Sequence, residues 1–171
     1  AVMKLYDKGR LSLTDRVSDY LPYLQDTDKR NITVRELLFH QSGLLSTLLF
    51  YQDAIDEDSY EGTLFKARPD KLHPARIGRQ TWANPNFRFR PGLTSKVRTA
   101  ECTLQVCDSL WLNKSFKKEY LQKIADAPLR DKRYRYSCVG FILLQQVVEA
   151  RAGMPMDEFL AQEFYTPMGL K

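Results

Sequence analysis

One long helical pattern constrains the fold more than any other feature of the chain, and it covers residues 139–152. Phe141, Leu144 and Val147 (or Val148) follow one another at intervals of one helical turn. Gly153 and Pro155 stand where such a helix would end. The pattern predicts a long amphipathic helix, which has to pack its apolar side against neighbouring elements.

Shorter helical patterns occupy much of the remaining chain. The first is already under way at residue 1 and ends before Gly9. A capping box formed by Thr33 and Glu36 opens a helix that we expect Gly43 to end. Further helices are predicted over residues 14–20, 97–111, 115–127 and 156–170. The chain is therefore predicted to be mainly α, with at most short strands.

Residues 51–95 differ from the rest because they contain four of the eight prolines and lack a core pattern of their own. Phe87 and Phe89 alternate with arginines, as in a short half-buried strand. We therefore predict a single helical domain over residues 1–171, with a loop-rich excursion at about 51–95.

The size and composition of the chain exclude several classes of protein. Its 171 residues suit one domain better than two, and 43% hydrophobic with 27% charged residues is typical of a soluble globular protein. No apolar run approaches the roughly 20 residues that cross a bilayer. Residues 1–8 lack the pattern of a signal peptide. We expect no membrane span.

The net charge of +5 is unevenly distributed. Residues 53–61 contain five acidic residues and no basic one, whereas residues 66–98 contain nine basic residues against Asp70 alone. Neighbouring stretches of opposite charge can face solvent and neutralise each other, so we expect no nucleic-acid partner. The alternative is a non-catalytic binding module, in which segment 66–98 holds an anionic polymer by charge and aromatic stacking.

The three cysteines and two histidines show no spacing that is typical of metal ligands. We therefore expect no metal and no cofactor. The odd number of cysteines also argues against a disulfide framework.

Two short motifs resemble catalytic arrangements but have simpler interpretations. Ser115 and Lys118 match Ser-x-x-Lys, yet Ser115 is a natural N-cap for the helix that follows it. Ser42 lies two residues after His40 without the Gly-x-Ser-x-Gly elbow that exposes a nucleophile. We interpret His40, Ser42 and Gly43 as a helix end, with Gly43 in a left-handed conformation and both side chains bonding nearby backbone.

Two longer stretches carry a resemblance to a known family. The first, "LYDKGRLSLTDRVSDYLPYL" with "ITVRELLFHQSGL", is similar to the segment that follows the nucleophile helix in serine β-lactamase and penicillin-binding-protein-like hydrolases. The second, "YRYSCVGFILLQQVVEARAGMPMDEFLAQEFYTPMGLK", resembles the second motif of that family, a Tyr-x-Asn loop that enters a helix. The branch concerned contains class C β-lactamases, D-aminopeptidases and related esterases. The resemblance covers residues 1–50 and 130–171.

The resemblance implies that Tyr136 is the second-motif tyrosine, which acts in the family as general base or as the partner of a lysine. Ser137 and Cys138 would line the substrate pocket, although Cys138 stands where the family has asparagine. A thiol is a weaker donor and acceptor than an amide, so weaker recognition of β-lactams and peptides is expected. The stretch from His40 to Gly43 corresponds to a structural landmark of the family.

The resemblance also implies two catalytic motifs that lie outside residues 1–171. The Ser-x-x-Lys nucleophile motif is expected upstream of Ala1, and a Lys-Thr-Gly or His-x-Gly strand downstream of Lys171. The chain would be the helical subdomain of an α/β fold, lacking most or all of the sheet, and inactive alone. The parent would act through a serine ester on a small-molecule, peptide, ester or glycan substrate, without a cofactor. Fusion to a glycoside hydrolase and a periplasmic or cell-envelope location are further implications.

The chemistry of Tyr136 sets a condition on its surroundings. A free tyrosine titrates near pH 10, so a base that works near pH 7 needs positive charges that lower its pKa to about that value. Lys132, Arg133 and Arg135 are close in sequence, but their side chains would have to converge on the phenol.

Overall fold

The computed structural model describes residues 1–170, which contain both helices and strands. Helices α1–α6 span Val2–Asp7, Val34–Leu38, Phe50–Ala54, Ser115–Asp126, Cys138–Ala152 and Met156–Leu160. Strands β1–β8 span Ile55–Asp56, Phe65–Lys66, Ala75–Gly78, Thr81–Ala83, Arg88–Phe89, Thr94–Ser95, Cys102–Cys107 and Leu110–Asn113. Contacts divide the chain into two compact units. The helical unit comprises Ala1–Leu48 and the chain from Leu121 onward, and the hairpin unit comprises Leu49–Tyr120.

Within residues 1–170, the hairpin unit contains three small antiparallel sheets, with strand orders β1-β5, β2-β4-β3 and β6-β8-β7. The prediction of a mainly α subdomain that lacks most or all of the sheet is therefore wrong. The strands are only two to six residues long, so few of them contain enough residues to show a period-two pattern in the sequence.

The predicted helix over residues 97–111 is also wrong, because this segment forms most of the β7–β8 hairpin. Gln105 pairs with Trp111, and Leu104 pairs with Leu112. Val97, the first apolar residue of the supposed helical face, is 65% exposed and packs no core. The spacing of apolar residues resembled a helix by chance, whereas cross-strand pairing determined the conformation.

The hairpin unit has a small apolar core of its own. Ala54, Leu93 and Phe116 are buried together, and Phe89 and Leu112 pack against them. The predicted strand around Phe89 is confirmed as β5, with Arg88 exposed beside it. These contacts bring α3, β5 and the first turn of α4 to one cluster.

A buried histidine links the polypeptide between β2 and β3 to the residues before β2. The Nδ1 atom of His73 lies 2.7 Å from Asp70 Oδ1, and its Nε2 atom lies 2.6 Å from the Thr63 carbonyl oxygen. Both ring nitrogens of this fully buried side chain therefore have hydrogen-bond partners, as buried polar groups require.

Helix α5 forms the centre of the helical unit, and the predicted long helix is confirmed. Its buried residues are Val139, Gly140, Leu143, Leu144, Val147 and Val148. Gly153 ends the helix with a φ of 74°, and α5 contacts α1, α2 and α6. Phe141 does not belong to the buried face, although the spacing placed it there, because it is 49% exposed. Within residues 1–170, no helix is both long and apolar enough to span a bilayer.

The first 40 residues follow the predicted order with shorter helices. The capping box is confirmed: Glu36 N donates to Thr33 Oγ1 (3.2 Å), and Thr33 N donates to Glu36 Oε2 (2.8 Å). The helix expected at 14–20 is instead a 3₁₀ turn at Val17–Asp19. Pro22 begins a second 3₁₀ turn because its fixed φ suits a first helical position.

A buried lysine satisfies the C-terminal end of α4. Lys29 is 1% exposed, and its Nζ donates to the carbonyl oxygens of Ala125 (2.9 Å) and Ala127 and to Asp28 Oδ1 (2.6 Å). A cation is stabilised at this end of a helix, where carbonyl groups lack intrahelical partners. Lys29 therefore connects the 3₁₀ region to the end of α4.

Candidate active site

Four hydrogen bonds connect the loop that precedes α5 to the backbone of residues 40–46. The bonds that involve the backbone of this segment are Arg130 N to Gly43 O (2.8 Å), Arg135 N to His40 O (2.8 Å), Ser137 Oγ to Leu45 O (2.7 Å) and Cys138 N to Ser46 O (2.8 Å). The structure thereby brings together the two sequence-predicted groups, His40–Gly43 and Tyr136–Cys138. Arg135 and Ser137, on either side of Tyr136, both donate backbone hydrogen bonds to His40, and these bonds fix the backbone position of Tyr136.

Ser137 is the N-cap of α5. Its hydroxyl accepts a hydrogen bond from Gly140 N (3.1 Å) and donates to the carbonyl oxygen of Leu45. The side chain is buried, and these contacts satisfy an amide that the helix leaves free. The contacts of Ser137 are structural, and its place in a substrate pocket stays a prediction.

His40 contacts the chain on both sides of Tyr136. Its Nδ1 atom accepts a hydrogen bond from Ser137 N (3.1 Å), so the proton of a neutral ring is on Nε2. Its ring centroid lies 4.6 Å from that of Tyr136 and 5.1 Å from that of Phe141. A φ of 55° places His40 in the left-handed region just after α2, which is uncommon for a residue other than glycine. These contacts place the His40 ring against the Tyr136 ring and bond it to the backbone of the next residue.

Ser42 and Gly43 complete this turn. Ser42 is buried and its Oγ accepts from Leu44 N (3.4 Å), while Gly43 has a φ of 81°, as predicted for a left-handed glycine. A Cβ atom at Gly43 would overlap the carbonyl oxygen of Arg130 and lie 3.2 Å from its carbonyl carbon. Helix α2 itself ends earlier than predicted, at Leu38, so Gly43 permits a close approach of two chain segments instead of ending the helix.

Tyr136 presents an exposed phenol whose pKa is raised by its surroundings. The side chain is 61% exposed, and its interaction with the Cys138 side chain, by hydrogen bonding and then by charge, is the main cause of the higher pKa. Both effects favour the protonated phenol.

The neighbouring basic residues do not supply the positive charge that a phenolate needs. Lys132 Nζ binds Glu36 Oε1 (2.7 Å), Arg133 Nε lies 2.8 Å from Asp131 Oδ2, and Arg135 Nη2 lies 3.4 Å from Asp131 Oδ1. The three basic residues thus pair with two carboxylates, and none of them is among the groups that shift the pKa of Tyr136.

Replacement of Cys138 by alanine is expected to lower the pKa of Tyr136, because the side chain whose interaction raises that pKa is removed. The phenolate should then appear at lower pH in ultraviolet difference titrations, with Tyr136→Phe used to assign the signal. Cys107→Ala, which removes another exposed thiol, is the matched control and should leave the titration unchanged. An unchanged curve for Cys138→Ala would contradict the contact.

The Ser115–Lys118 motif occupies the start of α4 in the hairpin unit. Ser115 N donates to Asn113 Oδ1 (2.9 Å), so the side chain that caps this amide comes from Asn113. Ser115 is the first residue of α4 and not its N-cap, so this prediction is wrong. Ser115 and Lys118 are both exposed.

Residues 1–171 match the family model described as Beta-lactamase. The chain belongs to the beta-lactamase family. The resemblance seen in the sequence is thus confirmed, and the family is one of β-lactamase-like hydrolases.

A curated relative in this family is the N-acetylmuramyl-L-alanine amidase of Bacillus subtilis (strain 168). It is 27% identical over 177 residues, which cover 100% of this chain and 29% of that protein. The chain therefore spans less than a third of the length of this relative.

Two solved structures share the fold. The octameric penicillin-binding protein homologue from Pyrococcus abyssi matches 98% of this chain and 28% of its own, with a TM-score of 0.53 and 19% identity. The hydrolase EstCE1, which has promiscuous acyltransferase activity, matches 99% of this chain and 34% of its own, with a TM-score of 0.52 and 20% identity. At these identities the similarity shows the fold of this family and does not assign an activity.

Proposed function

We propose that this chain forms part of a β-lactamase-like serine hydrolase that cleaves ester or amide bonds through an acyl-enzyme, with Tyr136 handling the proton. The observation that supports this most directly is the exposed Tyr136 phenol, whose ring contacts His40 while the residues on either side of it are bonded to His40. A proton-transfer group needs this combination of access and fixed position.

In the proposed reaction, a serine hydroxyl attacks the substrate carbonyl carbon and its proton passes towards Tyr136. The bond to the leaving alcohol or amine breaks, and that group takes up the proton. Water then cleaves the serine ester and restores the hydroxyl. The serine and an activating lysine would come from a Ser-x-x-Lys motif outside these residues. That lysine would also provide the positive charge that favours the Tyr136 phenolate.

We further propose that the 171 residues alone are inactive. The Ser-x-x-Lys match within them, Ser115 with Lys118, stands at the exposed first turn of α4, where the Ser115 amide is capped by Asn113. The chain also spans only 29% of its curated relative. Both points favour a nucleophile that lies elsewhere in a longer polypeptide.

Esters are the substrates that we expect the complete enzyme to prefer. Cys138 replaces the asparagine of the family motif, and a thiol pairs less well with a substrate amide than a carboxamide does. The relative is named an N-acetylmuramyl-L-alanine amidase, and the neighbour's title describes a hydrolase with promiscuous acyltransferase activity. These names support small-molecule, peptide, ester or glycan substrates for the complete enzyme. Cell-envelope location and fusion to a glycoside hydrolase belong to the same proposal.

Hydrolysis of a chromogenic acetate ester and a chromogenic cephalosporin tests the proposal. The 171-residue chain should show no turnover above that of its Tyr136→Phe variant. A polypeptide that also carries the upstream Ser-x-x-Lys motif should hydrolyse the ester, and replacement of that serine by alanine should abolish turnover. Turnover by the short chain that is lost in Tyr136→Phe would overturn the claim of inactivity.

The second candidate function, the binding of an anionic polymer by residues 66–98, is less well supported. Lys66 Nζ lies 2.5 Å from Asp70 Oδ2, and Arg90 Nη2 lies 2.6 Å from Glu119 Oε2, so part of the basic charge is matched by carboxylates. Arg76 stacks over Trp82, which occupies an aromatic face that a base would need.

A further inference from the structure

The hairpin unit contains an open cavity of about 630 Å³ that the proposed acyl transfer does not use. It lies between α3, the 3₁₀ turn at Glu57–Ser59 and the start of β2. Small-molecule sites in proteins have volumes of roughly 300–1,000 Å³, so the cavity is large enough for a compact organic ligand.

Three of the ten residues that line the cavity are aromatic. The rings of Tyr51 and Phe65 lie 5.8 Å apart at 58°, and they remain 42% and 38% exposed. Tyr60 adds a third ring to the lining. The faces of aromatic rings carry negative partial charge, so such a wall attracts a cation placed within about 6 Å of it.

The charged groups at the cavity all have the same sign. Glu57 and Asp58 line it, and no lysine or arginine does. In the described chain neither carboxylate forms an ion pair, and both residues are exposed. The surrounding segment 53–61 has five acids and no base in a protein of net charge +5.

The basic residue nearest to the lining along the chain already has a partner. Lys66, next to Phe65, pairs with Asp70 (2.5 Å). An internal cation therefore does not already satisfy the two carboxylates of the lining.

We propose that this cavity binds an organic cation, namely an ammonium group with alkyl substituents. The rings would contact the alkyl groups and the cationic charge, and Glu57 and Asp58 would supply the opposite charge. An anionic ligand would be repelled by both carboxylates. The proposal rests only on residues of the hairpin unit and does not depend on acyl transfer at Tyr136.

Choline and its neutral isostere 3,3-dimethylbutan-1-ol provide the test, because they have the same shape and differ in charge. In ¹H–¹⁵N NMR titrations of the isotope-labelled chain, choline should shift the amide signals of residues 51–65. The alcohol should bind about tenfold more weakly. Similar affinity for both probes, shifts outside these residues, or no binding of choline at millimolar concentration would overturn the proposal.

Two variants separate the contribution of the carboxylates to choline binding from that of the aromatic rings. The double variant Glu57→Gln with Asp58→Asn, and separately Tyr51→Leu, should each weaken choline binding about five- to tenfold. Glu61→Gln is the matched control, because Glu61 is exposed in the same acidic segment but does not line the cavity. The spectra themselves report whether each variant is folded. Unchanged choline affinity in the folded double variant would exclude a role for the carboxylates.

Discussion

Replacing Tyr136 with phenylalanine in a polypeptide that includes the proposed Ser-x-x-Lys motif is expected to lower kcat for ester hydrolysis by about 10²–10⁴-fold. The substitution removes the phenol oxygen and keeps the ring, so the 4.6 Å ring contact with His40 and the backbone bonds on either side can persist. KM should change little, because the lost group acts on the proton in the transition state and not on substrate binding.

A second tyrosine provides the control for this experiment. Tyr165 is also exposed (47%), lies after α6 and has no role in the proposed site, so Tyr165→Phe should leave kcat unchanged. Full activity of Tyr136→Phe, in a protein that the serine variant inactivates, would exclude Tyr136 as the proton-handling group. A loss confined to KM would instead indicate that the phenol binds substrate.

Replacing Gly43 with alanine is expected to lower the free energy of unfolding by about 2–5 kcal/mol. Two costs combine at this position. Its φ of 81° is in the left-handed region, which is strained for alanine, and the new Cβ atom would overlap the carbonyl oxygen of Arg130. To relieve the overlap, the chain at Arg130 has to move away, which breaks the bond from Arg130 N to Gly43 O. Urea unfolding followed by circular dichroism measures the effect.

Comparison with Gly153→Ala separates the cost of the left-handed φ from the cost of the overlap with Arg130. Its φ is 74°, close to that of Gly43, but no heavy atom lies within 4 Å of the position of its Cβ. Gly153→Ala should therefore show the backbone strain alone, about 1–2 kcal/mol. Equal losses for the two variants would mean that the close approach of Gly43 to Arg130 does not contribute. The Gly43 variant should also shift the NMR signals of Tyr136, because the displaced segment leads to it.

Some elements could be predicted from the sequence because their determinants are local. The capping box needs only Thr33 and Glu36, three residues apart, and α5 needs an apolar face with Gly153 after it. The β7–β8 hairpin was missed because its stability comes from pairs such as Leu104 with Leu112, which helical spacing cannot reveal. The same limit applies to Phe141, whose partner is the ring of His40 instead of the core.

The sequence by itself determined the family, the order of the main helices and the position of Tyr136 at the entry to α5. Only the tertiary structure decided what surrounds that tyrosine. His40 and Ser137 are 97 residues apart in the chain, yet a hydrogen bond joins them beside Tyr136. Contacts within a turn follow from residue types a few positions apart, whereas contacts between distant segments depend on how the whole chain packs. The helix caps depend on contacts within a turn, whereas the surroundings of Tyr136 depend on contacts between distant segments.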